Sequence, residues 1–214
     1  MTWADRYPRI YERELDFVHS NYCDLHFKEV AGTIMILGSF EFQAVYGQRQ
    51  INDIFQLKIV FPHDYPDNVP ATYETAHRIR NFHINPDMTL CLGSPLESHA
   101  IYFENPCLET YINKILIPYF VRYVHFEKTG HVLYGELEHG RKGLLRYIRD
   151  LTGTRDDVLA KYLLELYLMG TADTSFECPC GSRLVFSDCH KKRLQSLQYV
   201  PKYLIRKHLG EAFR

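Results

Sequence analysis

Two hydrophobic periods follow one another in the first half of the chain. Apolar residues recur every three or four positions over residues 7–22, which predicts an amphipathic surface helix packed on a sheet. Over residues 33–46 and 54–61 apolar and polar residues instead alternate, which predicts half-buried strands, with a bulge at Gly38. Parallel strands would need a crossover of about a dozen residues or more, and the gaps here are shorter. The strands are therefore expected to form an antiparallel meander.

Prolines interrupt this pattern after the second strand. Three prolines fall between residues 61 and 70, and each lacks the amide donor that a central strand needs. This segment is predicted to be a rigid extended loop, followed by a short strand over residues 71–74. No regular element is evident from about residue 76 to residue 104.

Helical periodicity dominates the second half. Helices are expected from Asn105-Pro106 onward, over residues 134–151, over residues 155–169 and after Pro201. Pro118 is expected to kink or end the first of them, while Thr154 caps the third and Gly170 stops it. The two halves together predict an α+β fold, in which an antiparallel meander sheet with flanking helices is followed by a helical extension.

The composition narrows the functional classes. The chain has 214 residues, 46% hydrophobic and 24% charged, as in ordinary globular proteins. Its formal net charge of −1 argues against a protein that binds nucleic acid or membranes as a whole. No apolar run reaches the ~20 residues of a membrane helix, and the N-terminus shows no basic-then-apolar signal sequence. We expect a cytoplasmic protein without membrane or nucleic-acid partners.

One of the six cysteines, Cys91, lies in an irregular segment whose backbone amides are not committed to a sheet. A thiol there can act as a nucleophile if its thiolate is accessible and the developing oxyanion is stabilised. Asn85 offers a neutral donor suited to an oxyanion or to holding the loop, and His83 is either a base or a brace. Because cysteines are also common as small buried residues, spacing alone leaves both interpretations of Cys91 open.

A sharper motif lies near the C-terminus, where Cys-Pro-Cys-Gly-Ser is followed by an adjacent Cys-His pair. The four candidate ligands are Cys178, Cys180, Cys189 and His190. Three thiols and an imidazole in one short segment form the ligand set of a tetrahedral structural zinc site. Four protein ligands leave no open coordination position, so the sequence predicts a structural rather than a catalytic Zn2+. The alternative is a set of unrelated reduced thiols.

The order of features in the first half resembles the ubiquitin-conjugating enzyme family. The resemblance lies in Phe61-Pro62-x-x-Tyr65-Pro66-x-x-x-Pro70, His83-Ile84-Asn85 and Leu90-Cys91-Leu92, and it covers roughly residues 5–127. It implies the UBC-like fold, with Cys91 as the thioester-forming cysteine, Asn85 as the asparagine of the family's His-Pro-Asn motif and His83 as its structural histidine. It also implies the reaction: an activated acyl group passes to Cys91 and then to an amine.

Two departures from the family pattern matter. Ile84 replaces the middle proline of the His-Pro-Asn motif, and the interval between Cys91 and the next helix is longer than usual. The acidic residue that would orient the incoming amine is Asp87, Glu97 or Glu104. The chain has no Gly-rich nucleotide loop, so we expect a separate activating enzyme to adenylate the donor.

The cysteine cluster resembles the SEC-C zinc motif at the C-terminus of the bacterial translocase SecA. This resemblance implies a bacterial protein in which the motif docks to a partner or stabilises a short tail. Standalone bacterial relatives of ubiquitin-conjugating enzymes occur in antiphage operons built around cyclic-oligonucleotide signalling (CBASS-type defence). By that resemblance the acyl donor is a ubiquitin-like protein or the C-terminus of a cGAS-like nucleotidyltransferase.

The motifs divide the chain into four expected segments. These are a UBC-like catalytic domain over 1–127, a helical extension over 128–170, the zinc motif over 171–192 and a basic helical tail over 193–214.

Two other functions stay open. One is a non-catalytic binding module on the same fold, which Ile84 favours and the presence of Cys91 disfavours. The other is a zinc-containing adaptor that uses the seven Lys and Arg residues from Lys191 onward.

Overall fold

The computed structural model describes residues 1–80, 82–133, 138, 140–170 and 175–214. The helices are α1 (Trp3–Arg6), α2 (Pro8–Asn21), α3 (Pro95–Tyr102), α4 (Leu108–Tyr111), α5 (Ile117–Thr129), α6 (Gly140–Thr152), α7 (Asp157–Met169) and α8 (Lys202–Ala212). The strands are β1 (Leu25–Val30), β2 (Thr33–Tyr46), β3 (Arg49–Val60) and β4 (Ala71–Glu74). The chain forms two compact units, Met1–Leu92 with Asn105–Glu136 and Gly93–Glu104 with Leu137–Arg214. The division into four segments stays a prediction.

The described part of the first unit contains a four-stranded antiparallel sheet in the order β1-β2-β3-β4. Alternating side chains of β2 and β3 point into the core, as the period of two predicts. The expected α+β class and antiparallel meander are therefore confirmed. The strand β3 begins at Arg49 rather than at residue 54. The edge strand β1 was not predicted, because only Leu25 in it is fully buried and most of its other side chains are exposed.

Two-residue turns connect β1 to β2 and β2 to β3, and the predicted bulge at Gly38 is wrong. Ala31 and Gly32 link β1 to β2 with φ of 50° and 76°, the left-handed values that a two-residue hairpin turn favours. Pairing of β2 with β3 is residue by residue on both sides of Gly38, and pairing of β2 with β1 ends at Gly38. A Cβ at Gly38 would lie 1.9 Å from the carbonyl oxygen of Asp24, and its φ is 138°. Glycine is required here because the chain entering β1 approaches β2 too closely for a side chain.

The N-terminal helices and the proline-rich loop pack on each other. The helix predicted over residues 7–22 is confirmed as α2, and residues 61–70 form neither helix nor strand, as expected. Trp3 is 2% exposed, and its ring centroid lies 4.6 Å from that of Tyr65 in the loop. Ring contacts of this kind keep the loop rigid without a ladder of backbone hydrogen bonds.

A long helix over residues 108–129 packs on β2 and β3. It consists of α4, a π-helical turn (Ile112–Leu116) and α5. Pro118 does not end the helix, because the wider π-helical turn just before it accommodates the missing amide donor and the bulky ring. The helix ends instead at Gly130, whose φ is 71°. Its core anchor is Phe120, whose ring centroid lies 4.3 Å from that of Phe55.

A buried carboxylate joins three parts of the first unit. Glu14 in α2 is 1% exposed. Its Oε1 accepts hydrogen bonds from the Tyr65 hydroxyl at 2.8 Å and from Arg13 Nη2 at 2.5 Å, and its Oε2 accepts the Leu108 amide at 3.1 Å. The last of these bonds satisfies an otherwise orphaned donor at the start of the long helix. The carboxylate can stay buried because it is surrounded by donors.

Helices make up most of the described part of the second unit. The helices expected over 155–169 and after Pro201 are confirmed as α7 and α8. The helix expected over 134–151 is confirmed from Gly140 onward, whereas residues 134–137 and 139 lie outside the described residues. A short 3-10 turn over Leu194–Leu197 precedes α8.

Two local expectations in this unit need correction. A regular element does occur between residues 76 and 104, since α3 forms there. Its buried face carries the polar His99 beside Leu96, Ala100 and Tyr102, so the segment lacks a clear amphipathic period. The side chain that caps α7 is Asp156, which accepts the amides of Val158 and Leu159, whereas Thr154 accepts the amide of Asp156. Gly170 ends α7 as predicted, with a φ of 59°.

Two buried histidines lie side by side in the second unit. His99 Nδ1 is 3.0 Å from His208 Nε2, and His208 Nδ1 is 3.0 Å from the Glu211 carboxylate. Burial lowers the pKa of His208, a negative neighbour at Glu211 opposes that effect, and Lys207 adds to it. These hydrogen bonds link α3 to α8.

None of the helices in the described ranges has the length and apolar character needed to cross a bilayer.

Candidate active site and metal centre

Cys91 follows a small hairpin that the periodicity did not reveal. Ile84 and Leu90 form an antiparallel bridge, and inside it the Asn85 amide donates to the Thr89 carbonyl at 2.8 Å. Three residues make the loop, of which the last, Met88, has a φ of 68°. The Met88 amide donates to the Asn85 carbonyl at 2.9 Å. A proline at the first loop position and a left-handed residue at the last are typical of a three-residue hairpin loop.

A chain of side-chain hydrogen bonds stiffens this hairpin. The Thr89 hydroxyl donates to Asp87 Oδ1 at 2.6 Å and accepts from Asn85 Nδ2 at 2.9 Å. The Thr89 amide also donates to Asp87 Oδ1, at 3.1 Å. The two Thr89 donors lower the pKa of the Asp87 carboxyl. One hydrogen of the Asn85 carboxamide is thus directed at Thr89, and the group has a second hydrogen to donate.

Backbone hydrogen bonds hold Cys91 and its neighbour from two sides. The Cys91 amide donates to the His83 carbonyl at 2.7 Å, and the Leu90 amide donates to the Thr72 carbonyl of β4 at 2.8 Å. Cys91 itself is partly exposed, while Leu90 is 4% exposed. The segment leading to Cys91 is therefore anchored to the sheet edge, and the thiol lies at a position intermediate between core and surface.

His83 has an unusual backbone conformation, and its ring packs against a buried neighbour. Its φ is 43°, a left-handed value that is uncommon for a residue with a side chain. The imidazole packs edge-on against the buried Phe82 ring, with 4.7 Å between centroids. Of the acidic candidates, Asp87 lies in the hairpin loop, Glu97 lies on α3 and Glu104 follows α3. The Asp87 carboxylate accepts hydrogen bonds from Thr89, which is a structural role.

The four predicted metal ligands come together. The ligand atoms of Cys178, Cys180, Cys189 and His190 lie within 4.8 Å of one another. His190 Nδ1 is 3.2 Å from the sulfurs of both Cys178 and Cys189, and the sulfurs of Cys180 and Cys189 are 3.6 Å apart. Tetrahedral zinc with Zn–S bonds of about 2.3 Å would separate two sulfurs by about 3.8 Å. The spacing therefore fits a metal ion at the centre of the cluster.

Local structure explains why these four residues converge. Glu177 and Val185 form an isolated antiparallel bridge, and the Cys178 amide donates to the Leu184 carbonyl at 2.8 Å. The tight turn between them returns the chain at Gly181, whose φ is 78°. The last two ligands sit on a π-helical turn over Ser187–Lys191. A knuckle followed by a helical turn is thus produced by the local sequence.

The thiols of Cys178 and Cys180 in the cluster differ in pKa. Burial raises the pKa of Cys178 to about 11, whereas hydrogen bonding from Ser182 lowers the pKa of Cys180 to about 7. Thiols bind metal as thiolates, so a bound cation would deprotonate Cys178 and overcome its burial. The donor set, three sulfurs and one nitrogen, matches a soft or borderline cation such as Zn2+.

The cluster is tied to its own unit by a hydrophobic core and by backbone carbonyls. Cys178 and Phe186 are buried with Leu163 of α7. His190 Nε2 lies 2.7 Å from the Thr152 carbonyl at the end of α6, and Arg193 Nε donates to the Leu151 carbonyl at 3.1 Å. Sequence reasoning found the ligands but had no signal for these contacts, which join segments about forty residues apart.

Comparisons with known proteins do not assign this chain to a family. No protein-family model matches it. No curated protein matches it either. What the chain does must therefore be inferred from the geometry of its two sites.

Proposed function

We propose that this protein is an acyl carrier of the ubiquitin-conjugating type. Cys91 accepts an activated C-terminal acyl group as a thioester and transfers it to an amine on a partner protein. The observation that carries the proposal is the anchored Cys91 segment: a partly exposed thiol follows a stiff hairpin, with its backbone bonded to His83 at 2.7 Å. The order of helix, meander, proline-rich loop, hairpin and long helix in the first unit supports it.

The chemistry consists of two exchanges at one carbonyl carbon. In the first, the Cys91 thiolate attacks the thioester of the donor, a new carbon–sulfur bond forms, and the donor's thiolate leaves. In the second, an amine attacks the Cys91 thioester, the amide bond forms, the amine loses a proton to solvent or a nearby base, and the Cys91 thiol is released. Each exchange passes through an oxyanion, so positioning and hydrogen-bond donors supply the catalysis.

The residues around Cys91 have separate roles in this proposal. The second hydrogen of the Asn85 carboxamide is available to the oxyanion, while the first is fixed by Thr89. His83 supports the site through its carbonyl, which accepts the Cys91 amide, rather than as a general base. Cys178, Cys180, Cys189 and His190 hold a structural Zn2+ in the second unit, since four protein ligands leave no position for a substrate.

The function is tested by intact mass measurement under non-reducing conditions. The protein is incubated with ATP, an activating enzyme and either candidate donor, a ubiquitin-like protein or a nucleotidyltransferase tail. We expect an adduct of the donor mass minus water that a thiol reagent removes. Cys91→Ala abolishes the adduct, and Cys91→Ser gives an oxygen ester that resists the thiol reagent. Cys23→Ala is the matched control, because Cys23 is an exposed thiol elsewhere in the same unit.

The proposal is wrong if the adduct persists in Cys91→Ala, or if neither donor forms one. A stable noncovalent complex without an adduct would favour the alternative, a non-catalytic binding module on the same fold. Salt-dependent oligonucleotide binding that persists in Cys91→Ala would favour an adaptor that uses the basic tail.

A further inference from the structure

Two buried tyrosines of the long helix contact residues that hold the Cys91 segment in place. The Tyr111 hydroxyl lies 2.7 Å from the hydroxyl of Thr72, the residue whose carbonyl accepts the Leu90 amide. The Tyr119 hydroxyl lies 3.1 Å from the Phe82 carbonyl oxygen and 3.4 Å from the His83 carbonyl oxygen. One rigid helix thus contacts the supports on both sides of the hairpin.

Tyr119 and the Cys91 amide share an acceptor. The His83 carbonyl oxygen receives the Cys91 amide at 2.7 Å and faces the Tyr119 hydroxyl at 3.4 Å. A carbonyl oxygen has two lone pairs and can accept both donors. The direction of this carbonyl sets the position of the Cys91 amide, and Tyr119 limits how far the carbonyl can rotate.

The contacts of Tyr119 flank His83, the residue of this segment with a left-handed backbone. His83 has a φ of 43°, which costs free energy unless its surroundings impose it. Tyr119 contacts the carbonyl oxygens of Phe82 and His83, which belong to the peptide groups before and after the strained Cα. The single phenolic hydrogen is shared between these two oxygens, with the shorter contact to Phe82, so the hydroxyl contacts both peptide planes that flank the left-handed Cα.

Tyr119 is well suited to remain a neutral donor. Its side chain is 1% exposed, and burial raises its pKa far above the ordinary value. The second cause of the raised pKa is the negative charge that Cys91 carries when it is ionised. Burial therefore favours the protonated phenol, which can donate a hydrogen bond.

We propose that Tyr119 is the positioning residue for Cys91: its hydroxyl holds the carbonyls of Phe82 and His83 on either side of the His83 Cα, and the His83 carbonyl holds the backbone amide of Cys91. The role in acyl transfer rests on the proposed function, whereas the structural link does not. Tyr119 does not contact the acyl group; it keeps the thiol and the Asn85 side chain in one arrangement from loading to transfer.

Amide hydrogen exchange tests the structural link directly. Tyr119→Phe removes the hydroxyl and keeps the ring, and Tyr123→Phe is the matched control. Tyr123 lies one turn further along the same helix, and its hydroxyl contacts the Arg78 carbonyl and Glu127 instead. We expect the Cys91 amide to exchange about fivefold to tenfold faster in Tyr119→Phe, the ratio that loss of one hydrogen bond gives. Tyr123→Phe leaves the exchange unchanged.

The Leu90 amide is an internal reference, because its acceptor is Thr72 rather than His83. Its exchange should stay at the wild-type rate in Tyr119→Phe. Faster exchange of both amides would mean general destabilisation. In that case 4-aminophenylalanine at position 119, which keeps a donor, decides the question: restored protection of Cys91 supports the proposal, and unrestored protection overturns it.

An acyl-transfer assay tests the effect of Tyr119 on the reaction, with a short peptide thioester as the donor and lysine as the acceptor. Transfer from preloaded Cys91 to lysine should be about tenfold slower in Tyr119→Phe, since small misplacement of a reacting group is costly. Tyr123→Phe should transfer at the wild-type rate, and 4-aminophenylalanine should restore the rate. Unchanged exchange at Cys91 overturns the proposal, as does faster exchange with unchanged transfer. If wild type forms no thioester, the proposed function fails, and the exchange arm still decides whether Tyr119 holds Cys91.

Discussion

His190 Nε2 lies 2.7 Å from the carbonyl oxygen of Thr152, the last residue of α6. The carbonyl accepts a hydrogen bond, so Nε2 carries the proton and Nδ1 has the lone pair. Nδ1 is the nitrogen that faces the sulfurs of Cys178 and Cys189. One imidazole thus connects the cysteine cluster to the end of a helix, in the orientation that a metal ligand would need.

Metal removal should therefore destabilise the second unit rather than only unfold the knuckle. We expect about one zinc per chain by elemental analysis, and a loss of at least about 2 kcal/mol in the free energy of unfolding after chelation, because small zinc sites bind with about 10 kcal/mol or more. Cys178→Ser should lose the metal, whereas Cys23→Ser should keep it. Full zinc occupancy in Cys178→Ser, or unchanged thermal unfolding after chelation, would remove the assignment.

Asn85 and Thr89 should behave as one functional unit. The 2.9 Å hydrogen bond between them directs the carboxamide, so Thr89→Val should misdirect it without altering Asn85 itself. We expect Asn85→Ala and Thr89→Val each to slow acyl transfer about tenfold, and the double variant to be little slower than either, as for coupled residues. Single-turnover rates of the four proteins measure the coupling. Independent, multiplying effects would show that Thr89 does not orient Asn85.

Glu14 should be the most costly acidic residue to remove from the first unit. Glu14→Ala leaves the Tyr65 hydroxyl and the Leu108 amide without their acceptor, so unfolding should become easier by about 3 kcal/mol. Glu14→Gln keeps an acceptor and should cost about half as much. Glu12→Ala, at an exposed position two residues earlier, should change stability by less than about 0.5 kcal/mol.

Fluorescence of the single tryptophan can measure the stability of the Glu14 and Glu12 variants. Trp3 is buried in the first unit against Tyr65, so its fluorescence reports the region that Glu14 holds together. Urea titrations give the free energies. Equal stability of Glu14→Ala and Glu12→Ala would contradict a structural role for the buried carboxylate.

Acidification should weaken the second unit through His208. The folded state lowers the pKa of His208, chiefly by burial, so the unfolded chain takes up the proton first as the pH falls. The contribution of neutral His208 is complete above the unfolded pKa of about 6.5 and is lost as the pH falls through the lower folded value. Helical circular dichroism during urea unfolding, from pH 8 to pH 5, should show this decline.

A matched pair of variants identifies the titrating group. His208→Gln should reduce the pH dependence below about pH 6.5, whereas exposed His19→Gln should leave it unchanged. The same slope in all three proteins would assign the pH dependence to other groups. Glu211, which contacts His208 at 3.0 Å, opposes the effect, so Glu211→Gln should make acidification more damaging.

The amino-acid sequence by itself determined the features that depend on neighbouring residues. The alternation in β2 and β3, the amphipathic period of α2 and the left-handed stop at Gly170 are local properties. The cluster of three cysteines and a histidine was also predictable, since all four residues lie within thirteen residues and a tight knuckle brings them together.

Tertiary structure alone decided the features whose partners are distant in the chain. The edge strand β1 is polar enough to resemble a loop until β2 pairs with it. Helix α3 buries the polar His99 on its core face, so its sequence has no readable hydrophobic period. The support of His83 by Tyr119, 36 residues later, has no sequence signal at all. Hydrogen bonds and burial of this kind depend on where the chain returns in space, which local propensity and periodicity do not specify.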